Sequence, residues 1–368
     1  MTEKEAYVAF NLTEQVGSVT VGQLVAKFGS VAAAWEAYPK KVSRSGGEVD
    51  WKAEFRLAEK FGVAIVTPAD EDYPPMLRDA PGRPLALYVK GDVKALAKPS
   101  VAIVGTRRAT PYGLDQAHAF ARGLAESGWS VLSGLALGID AEAHKGALAA
   151  GGTTVGVIGS GLDRFYPEEN RELAREIVQK GGAVVSEFPF GRPPDTQTFP
   201  QRNHVVAALA KGVLAIEAPL KSGTLITTGI AADLGRTVMA VPGRVDSRSG
   251  AGCLALIRDG AVLVRNARDV NEALGQLLPR KLKASRSGSP ESVPEPSEPV
   301  RERAPSPPFS LEEAMVMKHV DAEGISLDEL VRRTKLPASK VNALCMTLRV
   351  KGRVRFFPGN RVALPREA

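Results

Sequence analysis

Three short segments of this chain combine glycine, hydroxyl and basic side chains in patterns that suit anion binding. Gly105-Thr-Arg-Arg108 follows an apolar β-branched run, and Phe199-Pro-Gln-Arg-Asn-His204 opens a predicted helix. Lys221-Ser-Gly-Thr224 follows another apolar run and opens another helix. Unpaired backbone N–H groups and the helix dipole favour anions at such turns. We therefore predict a phosphate-binding site, with Arg244 at its rim.

The elements that position these segments are predicted from hydrophobic periodicity. Apolar strands alternate with helical segments from about residue 101 to residue 278, an order typical of an α/β, doubly wound, mostly parallel sheet. The predicted strands are 101–104, 130–133, 154–158, 183–186, 213–216, 238–241 and 262–264. Ligands bind such sheets at the carboxyl ends of the strands. We expect Arg107, Arg202, Lys221 and Arg244 to lie together at that edge.

Four parts are predicted along the chain. Residues 1–62 form short helices with glycine turns, which could grip a nucleic-acid backbone or a protein, or simply cap the fold. Residues 63–278 hold the sheet, and the stretch 279–308 is rich in proline and serine and predicts a linker. Residues 309–368 hold two capping boxes, a third helix and a hairpin, an order typical of a winged helix-turn-helix.

The winged helix is predicted to present a basic surface. Lysine and arginine recur between Arg332 and Arg366, where aspartate and glutamate are absent from the sequence. Binding to nucleic acid is one interpretation, and docking of a protein or dimerisation is the other. The residues predicted to contact DNA here are Lys340, Arg349, Lys351, Arg353, Arg355 and Arg361.

Composition limits the class of protein. Charged residues make up 24% and hydrophobic residues 44% of the 368 residues, as in ordinary globular proteins. A net charge of +7 favours polyanionic partners, although a basic protein without such a partner is the alternative. Cys253 and Cys345 lie in apolar patterns and predict buried thiols in a reducing compartment. A leader pattern and an 18-residue apolar run are lacking, so we expect a cytoplasmic protein without a membrane span.

Several enzyme classes do not fit the motifs. Gly105 is followed by Thr-Arg-Arg-Ala rather than by a dinucleotide-binding G-x-G-x-x-G, and a Walker loop is lacking. Asp140 and His144 are spaced for one helical face, but a lone pair of this kind is more often structural than metal-binding. The serines lack a nucleophile elbow. We expect no cofactor, no metal and no catalytic residue.

The motifs of the central region resemble those of a bacterial family. They are Ile103-Val-Gly-Thr-Arg107, Tyr112-Gly113, Ser133-Gly-Leu-Ala-Leu-Gly-Ile-Asp140, Ala143-His144, Gly161-Leu-Asp163, Tyr166-Pro167, Ser186-Glu187, Phe199-Pro-Gln-Arg-Asn203, Glu217-Ala218, Ser222-Gly-Thr-Leu-Ile-Thr227 and Ala240-Val-Pro-Gly243. In this order they resemble the DNA-processing protein A (DprA, also called Smf) family. The ends resemble its variable N-terminal domain, similar to a sterile-alpha-motif or helix-hairpin-helix fold, and its winged helix.

The resemblance implies a Rossmann-like domain that binds single-stranded DNA as a homodimer. It also implies loading of RecA and protection of incoming strands in natural transformation. Arg107, Phe199, Arg202 and Asn203 are the DNA contacts that the resemblance implies. Stacking of Phe199 on a base fits single-strand binding, with a core aromatic as the alternative.

Two positions depart from the family pattern. His204 stands where relatives usually have arginine, which removes a fixed charge from the expected groove. Arg349 stands where relatives often have an acidic residue, which adds duplex DNA as a candidate partner of the winged helix. The full set of DNA-binding residues predicted in the central region is Gly105, Thr106, Arg107, Arg108, Phe199, Arg202, Asn203, His204, Lys221, Ser222, Gly223, Thr224 and Arg244.

A Rossmann-type nucleoside-monophosphate phosphoribohydrolase is the rival interpretation. Those enzymes carry a Pro-Gly-Gly-x-Gly-Thr turn with a glutamate in the next helix. The corresponding turn here is Pro219-Leu-Lys-Ser-Gly-Thr224, and the sequence from there to Asp233 contains no glutamate. We therefore favour a non-catalytic DNA-binding mediator.

Overall fold

The computed structural model describes residues 1–39, 42–44, 46–275, 310–321, 324–357 and 359–365. They fall into two compact units, a large one of Met1–Ala109 and Gly113–Gln276 and a small one of Leu277–Ala368 together with Thr110–Tyr112. The predicted linker, 279–308, lies outside the described residues.

The chain begins with four short helices around an aromatic core. They are α1 (Glu3–Leu12), α2 (Ser18–Phe28), α3 (Val31–Ala37) and α4 (Trp51–Phe61). Thr2 and Glu5 form a capping box at α1, and Ser30 caps α3, so local side chains satisfy these helix starts. The rings of Phe10 and Trp35 meet edge to face with centroids 5.1 Å apart. The prediction of a small helical N-terminal part is therefore confirmed in its elements.

Strands and helices alternate in the rest of the large unit. In chain order they are β1 (Ala64–Val66), α5 (Pro75–Arg78), β2 (Leu87–Gly91), β3 (Ser100–Val104), α6 (Pro111–Glu126), β4 (Ser130–Ser133), α7 (Ile139–Ala149), β5 (Thr154–Val157), α8 (Arg171–Gln179), β6 (Ala183–Ser186), α9 (Thr198–Leu209), β7 (Gly212–Ala215), α10 (Gly223–Asp233), β8 (Thr237–Ala240), α11 (Ala251–Arg258), β9 (Val262–Leu263) and α12 (Ala267–Ala273). Each predicted strand lies within one or two residues of an observed one.

The strands form one sheet in the order β1-β2-β6-β5-β4-β3-β7-β8-β9. All neighbours from β6 to β9 pair in parallel, and only β2 and β1 are antiparallel at one edge. The chain moves outward from β3 to β6 and then returns to place β7 on the other side of β3. This reversal is the topological switch point at which open α/β sheets bind ligands. It confirms the predicted doubly wound, mostly parallel sheet.

Helices cover both faces of the sheet because successive strand residues point to opposite faces. Val101 and Ile103 pack with Phe120 and Leu124 of α6 in one core cluster. Ala102 and Val104 pack with the apolar residues of α9 in another. The strands are therefore buried on both faces, as the apolar runs predict.

The N-terminal helices pack against the sheet within the large unit. Glu54 of α4 accepts a hydrogen bond of 2.9 Å from the backbone N–H of Phe190. Lys4 of α1 forms an ion pair of 2.9 Å with Asp70, which follows β1. These contacts join the helices to the sheet edge that carries β1 and β2.

The small unit has the winged-helix order of elements. Its elements are α13 (Leu311–Met317), β10 (Ile325–Ser326), α14 (Leu327–Thr334), α15 (Ala338–Val350), β11 (Arg355–Phe357) and β12 (Arg361–Ala363). The strands form a sheet of order β10-β12-β11. Val341, Cys345 and Leu348 of α15 are fully buried in its core, as their spacing predicts.

Both cysteines, Cys253 and Cys345, are buried free thiols, as predicted. Within the described ranges, no helix is both long enough and apolar enough to cross a bilayer.

Candidate nucleic-acid interface

A groove of about 480 Å³ opens at the switch point, where the turns after β3 and β7 lie side by side. Most of the predicted residues line it. Its lining consists of Val104, Gly105, Thr106, Arg107, Arg108, Gly134, Ala136, Asp140, Arg202, Asn203, Val206, Pro219, Lys221, Ser222, Gly223, Thr224 and Thr227. The structure thus brings the three sequence segments together at the predicted edge of the sheet.

One wall of this switch-point groove is the N-terminus of α10. Ser222 is the N-cap residue, and its side chain does not cap the helix. Its Oγ is buried and has no hydrogen-bond partner in the described part of the chain. Lys221, next to it, is exposed. Open backbone N–H groups, a hydroxyl and an ammonium group are the donors that bind a phosphate.

The mouth of the groove carries an arginine over an aromatic ring. The Arg107 guanidinium lies 5.0 Å from the ring centroid of Phe199, in cation–π range. The ring of Tyr166 lies 6.1 Å from that of Phe199 at an angle of 51°, and Tyr166 is 47% exposed. Phe199 is half-buried. These three side chains line one shallow depression beside the groove, which we call the aromatic platform.

Arg202 differs from the expected projecting cation. Its side chain is only 6% exposed, donates to the Val157 carbonyl at 3.1 Å and faces Asp140 at 4.0 Å. Burial lowers the pKa of Arg202, and burial raises the pKa of Asp140, although the facing guanidinium opposes that rise. The two side chains form the floor of the groove. They lie together because one buried charge without an opposite charge would cost more free energy than the pair does.

Glycines explain why Arg202 can lie there. A Cβ on Gly134 would lie 1.4 Å from Nη1 of Arg202, so only glycine leaves room for the guanidinium. Gly138 has φ +78° and packs against the Thr106 carbonyl, where a Cβ would lie 2.5 Å from the oxygen. The glycines that follow β4 are thus required by close approach to the first turn and to Arg202.

Two of the predicted basic residues, His204 and Arg244, lie elsewhere than expected. His204 faces a different cavity, beside Gly82, because it lies on the other side of α9 from Asn203. Arg244 is exposed and makes a bidentate ion pair with Asp246. Arg236, next to β8 in the same region of the sequence, is also engaged within the fold, because it donates to the carbonyls of Met76 and Ala208. The rim of the groove is therefore less basic than the sequence suggests.

Asp140 and His144 have separate partners. Asp140 accepts from the Gly134 N–H at 3.1 Å, whereas Nδ1 of His144 lies 2.6 Å from the Thr154 hydroxyl. Burial lowers the pKa of His144 to about 3. Asp140 therefore holds the turn that follows β4, and His144 joins α7 to β5.

The basic residues of the winged helix are mostly engaged within the module. Lys340 pairs with Glu312, and Lys351 pairs with Glu313 at 2.6 Å. Arg361 donates to the Gly324 carbonyl at 2.7 Å. Arg349 lies over the Phe356 ring at 5.6 Å, and Arg355 lies over Phe357 at 5.2 Å. Arg353 is half-buried.

The sequence did not predict that Tyr166, Gly134 and Asp140 lie at the groove and the platform. Tyr166 lies in a recognised motif, and its exposure at the platform could not be read from that motif. Gly134 and Asp140 also belong to a recognised motif. Their contact with Arg202 had one signal in the sequence: a predicted buried strand ends just before Gly134, and the charged Asp140 follows it.

Together, these features define a Rossmann-like α/β protein with a basic groove at its switch point and a C-terminal winged helix. The family model described as "DNA recombination-mediator protein A" matches residues 64–275, and that of the "DprA winged helix domain" matches residues 299–360. The chain belongs to the DNA recombination-mediator protein A family, which confirms the predicted resemblance.

Relatives match over much of the chain. Protein Smf of Synechocystis sp. is 32% identical over 393 residues, which cover 98% of each chain. The X-ray structure of DNA processing protein A from Streptococcus pneumoniae has a TM-score of 0.62 and 32% identity, covering 74% of this chain and 98% of that one. DNA processing protein A from Helicobacter pylori, studied for its single-stranded DNA binding mode, has a TM-score of 0.52 and 31% identity, covering 58% and 96%.

Proposed function

We propose that the switch-point groove and the aromatic platform bind single-stranded DNA without reading its sequence. The observation that carries this is the Arg107 guanidinium over Phe199, directly beside the α10 N-terminus. A cationic groove next to an aromatic surface is the usual means of holding a single strand, since every base has a face that can stack. The single-stranded DNA binding mode described for the Helicobacter pylori protein supports the proposal.

The groove offers phosphates several donors at once. Arg107, Arg108 and Lys221 make no ion pair with any described residue, so their charge faces the groove without competition. Gly223 and Thr224 add backbone N–H groups at the start of α10. Arg202 contributes from beneath as a fixed charge and not as a flexible contact.

The wider role of the protein is inferred from the family to which the chain belongs. We expect this chain to act as a homodimeric recombination mediator that protects single strands and loads RecA in natural transformation, in the cytoplasm. The groove is expected to be non-catalytic, because α10 carries no glutamate at the place where the phosphoribohydrolases need one. Incubation with AMP should therefore release no free adenine.

Fluorescence anisotropy with a labelled oligo-dT at several salt concentrations tests the proposal. Arg107→Ala and Lys221→Ala should each weaken binding and lower the slope of log K against log salt by about 0.7, the value for one phosphate contact on a single strand. Arg268→Ala is the matched control, since Arg268 is 69% exposed on α12 and pairs with Glu272 away from the groove.

Unchanged affinity and slope in both groove variants would refute the proposal. A loss that appears equally in Arg268→Ala would also refute it, because binding would then depend only on overall charge.

A further inference from the structure

A further cavity in the large unit lies outside the switch-point groove. It has a volume of about 560 Å³ and lies between the N-terminal helices and the sheet. Its lining consists of Asn11, Gln15, Val16, Gly17, Ser18, Val19, Arg44, Gly82, Arg83, Pro84, Leu85, Glu187, Phe188, Gln201 and His204. We call it the second cavity.

One side of the second cavity is suited to an anion. The N-terminus of α2 opens into it, and the N-cap residue Gly17 offers no side chain to the helix. Arg44 and Arg83 also line the cavity; each donates to a backbone carbonyl through one nitrogen, Arg44 to Val16 and Arg83 to Arg78, and a guanidinium has further N–H groups to offer a ligand. An uncapped N-terminus of an 11-residue helix beside two guanidinium groups provides donors for a phosphate.

The other side carries an acceptor without a partner. Oε1 of Glu187 is buried and makes no hydrogen bond to any described residue. Burial raises the pKa of Glu187 to about 7, with Arg44 opposing the rise. A buried acceptor left unpaired is costly, so this oxygen is placed for a ligand that donates an N–H. The Watson–Crick edge of an unpaired base offers such donors.

Helix α9 separates the second cavity from the groove. Asn203 lines the groove, whereas Gln201 and His204 line the second cavity, and Phe199 lies at the platform. A helix with its side chains is only about 10–12 Å wide. A strand stacked on Phe199 therefore needs to cross only the first turns of α9 to pass from one cavity to the other.

We infer that the second cavity is a second contact site for single-stranded DNA. It takes a nucleotide that follows those in the groove, with the phosphate at Arg44, Arg83 and the α2 N-terminus and the base edge at Glu187. This inference rests on the proposed function and adds a role for the N-terminal helices.

The test uses added negative charge, which leaves the helices intact. Ser18→Glu places a carboxylate in the first turn of α2, where it favours the helix dipole yet repels a phosphate. Gln201→Glu places a carboxylate in the first turns of α9, where it also repels a phosphate in the second cavity. Gln23→Glu is the matched control, because Gln23 is exposed on α2 and does not line the cavity. Arg83→Ala removes a proposed phosphate contact.

Anisotropy of the full chain is measured with oligo-dT of about 6 and about 20 nucleotides, lengths that bracket one and several contact sites. Ser18→Glu, Gln201→Glu and Arg83→Ala should weaken only the long strand, and Arg83→Ala should lower its salt slope by about 0.7. Gln23→Glu should change neither. Thermal melting checks that each variant is folded.

Two results would overturn the inference. One is equal affinity of wild type and all three variants for the long strand, and the other is an equal loss on both lengths. Arg107→Ala distinguishes failure of this inference from failure of the proposed function, since Arg107→Ala should weaken the binding of both oligonucleotides. If it weakens neither, the groove is not the DNA site, and the second cavity loses its basis.

Discussion

The switch-point groove and the winged helix both contain an arginine over a phenylalanine amid an excess of lysine and arginine. In the groove, Arg107 lies over Phe199, and in the wing, Arg355 lies over Phe357. The two regions differ in what the neighbouring cations do. Arg107, Arg108 and Lys221 form no ion pair with the described residues, whereas Lys340 and Lys351 of the winged helix are held by α13 carboxylates.

This difference teaches that a count of basic residues does not measure the charge available to a ligand. Arg332 and Arg333 both pair with Glu329, and Lys351 pairs with the buried Glu313. Such pairs stabilise the module and neutralise its field over short distances. In the groove, by contrast, the ion pair of Arg202 and Asp140 lies in the floor, and Arg107, Arg108 and Lys221 above it have no ion pair with a described residue.

The largest effect is expected from breaking the floor of the groove. Arg202→Met should lower the free energy of unfolding by about 3–5 kcal/mol, because it leaves Asp140 buried without a cation. Urea denaturation followed by the fluorescence of buried Trp129 measures this. Adding Asp140→Asn should recover part of the loss. Arg268→Met, at an exposed ion pair, should cost less than about 1 kcal/mol.

Stability within about 0.5 kcal/mol of wild type together with lost DNA binding would contradict this. Arg202 would then be a solvent-facing ligand, as sequence reasoning first placed it, and the contrast between floor and rim would be wrong.

The second effect separates the two arginine–phenylalanine pairs. Phe199→Ala should weaken oligo-dT binding by about 1–3 kcal/mol, the usual contribution of one stacked base. Phe357→Ala removes the corresponding ring in the wing and should leave the affinity within about twofold, or about 0.4 kcal/mol. Anisotropy titrations of the two variants at one salt concentration decide the matter. A larger loss in Phe357→Ala would move the single-strand site to the winged helix.

Much of this fold could be predicted because its signals are local. Apolar runs that alternate with helical segments located the strands. Ser310 and Glu313 predicted a capping box at the start of α13, and the capping box forms as predicted. The groove could be located because parallel strands all end at one edge. Each of these inferences depends on neighbours along the chain or on a rule of sheet topology.

The partners of the charged side chains could not be predicted in the same way. Lys351 and Glu313 are 38 positions apart, and Arg202 and Asp140 belong to different turns. The side of α9 on which His204 lies depends on how the helix packs against the sheet. Two adjacent residues, Asn203 and His204, therefore line different cavities although both were predicted to bind DNA in one groove.

A smaller effect is expected from removing the winged-helix lysines. Lys340→Ala with Lys351→Ala should leave oligo-dT affinity within about twofold, since these ammonium groups are already paired. The loss should appear in the stability of α13, mainly through Lys351, because the Glu313 side chain is only 4% exposed. Hydrogen exchange of the α13 amides measures it. Lys318→Ala, an exposed α13 cap position, is the control, and a tenfold loss of affinity in the double variant alone would show that the wing binds DNA.

The smallest effect is an opposite response of the two regions to acid. The Lys351 ammonium and the Ser310 N–H lower the pKa of Glu313 below its ordinary 4.5, whereas burial raises the pKa of Asp140 above its ordinary 3.8. A lowered carboxyl pKa contributes stability that is present above the ordinary value and is lost as pH falls through the lowered one. A raised pKa has the reverse sign, because protonation relieves the cost of the buried charge.

Acidification below about pH 4.5 should therefore reduce the exchange protection of α13 amides, and Glu313→Gln should remove that pH dependence. Amides of α7, the helix that contains Asp140, should instead gain protection as pH falls, and Asp140→Asn should remove that gain. If both helices lost protection in parallel and both variants left the profiles unchanged, the carboxyls would not be responsible. The contrast between a pair that stabilises the wing and a buried charge tolerated in the groove would then fail.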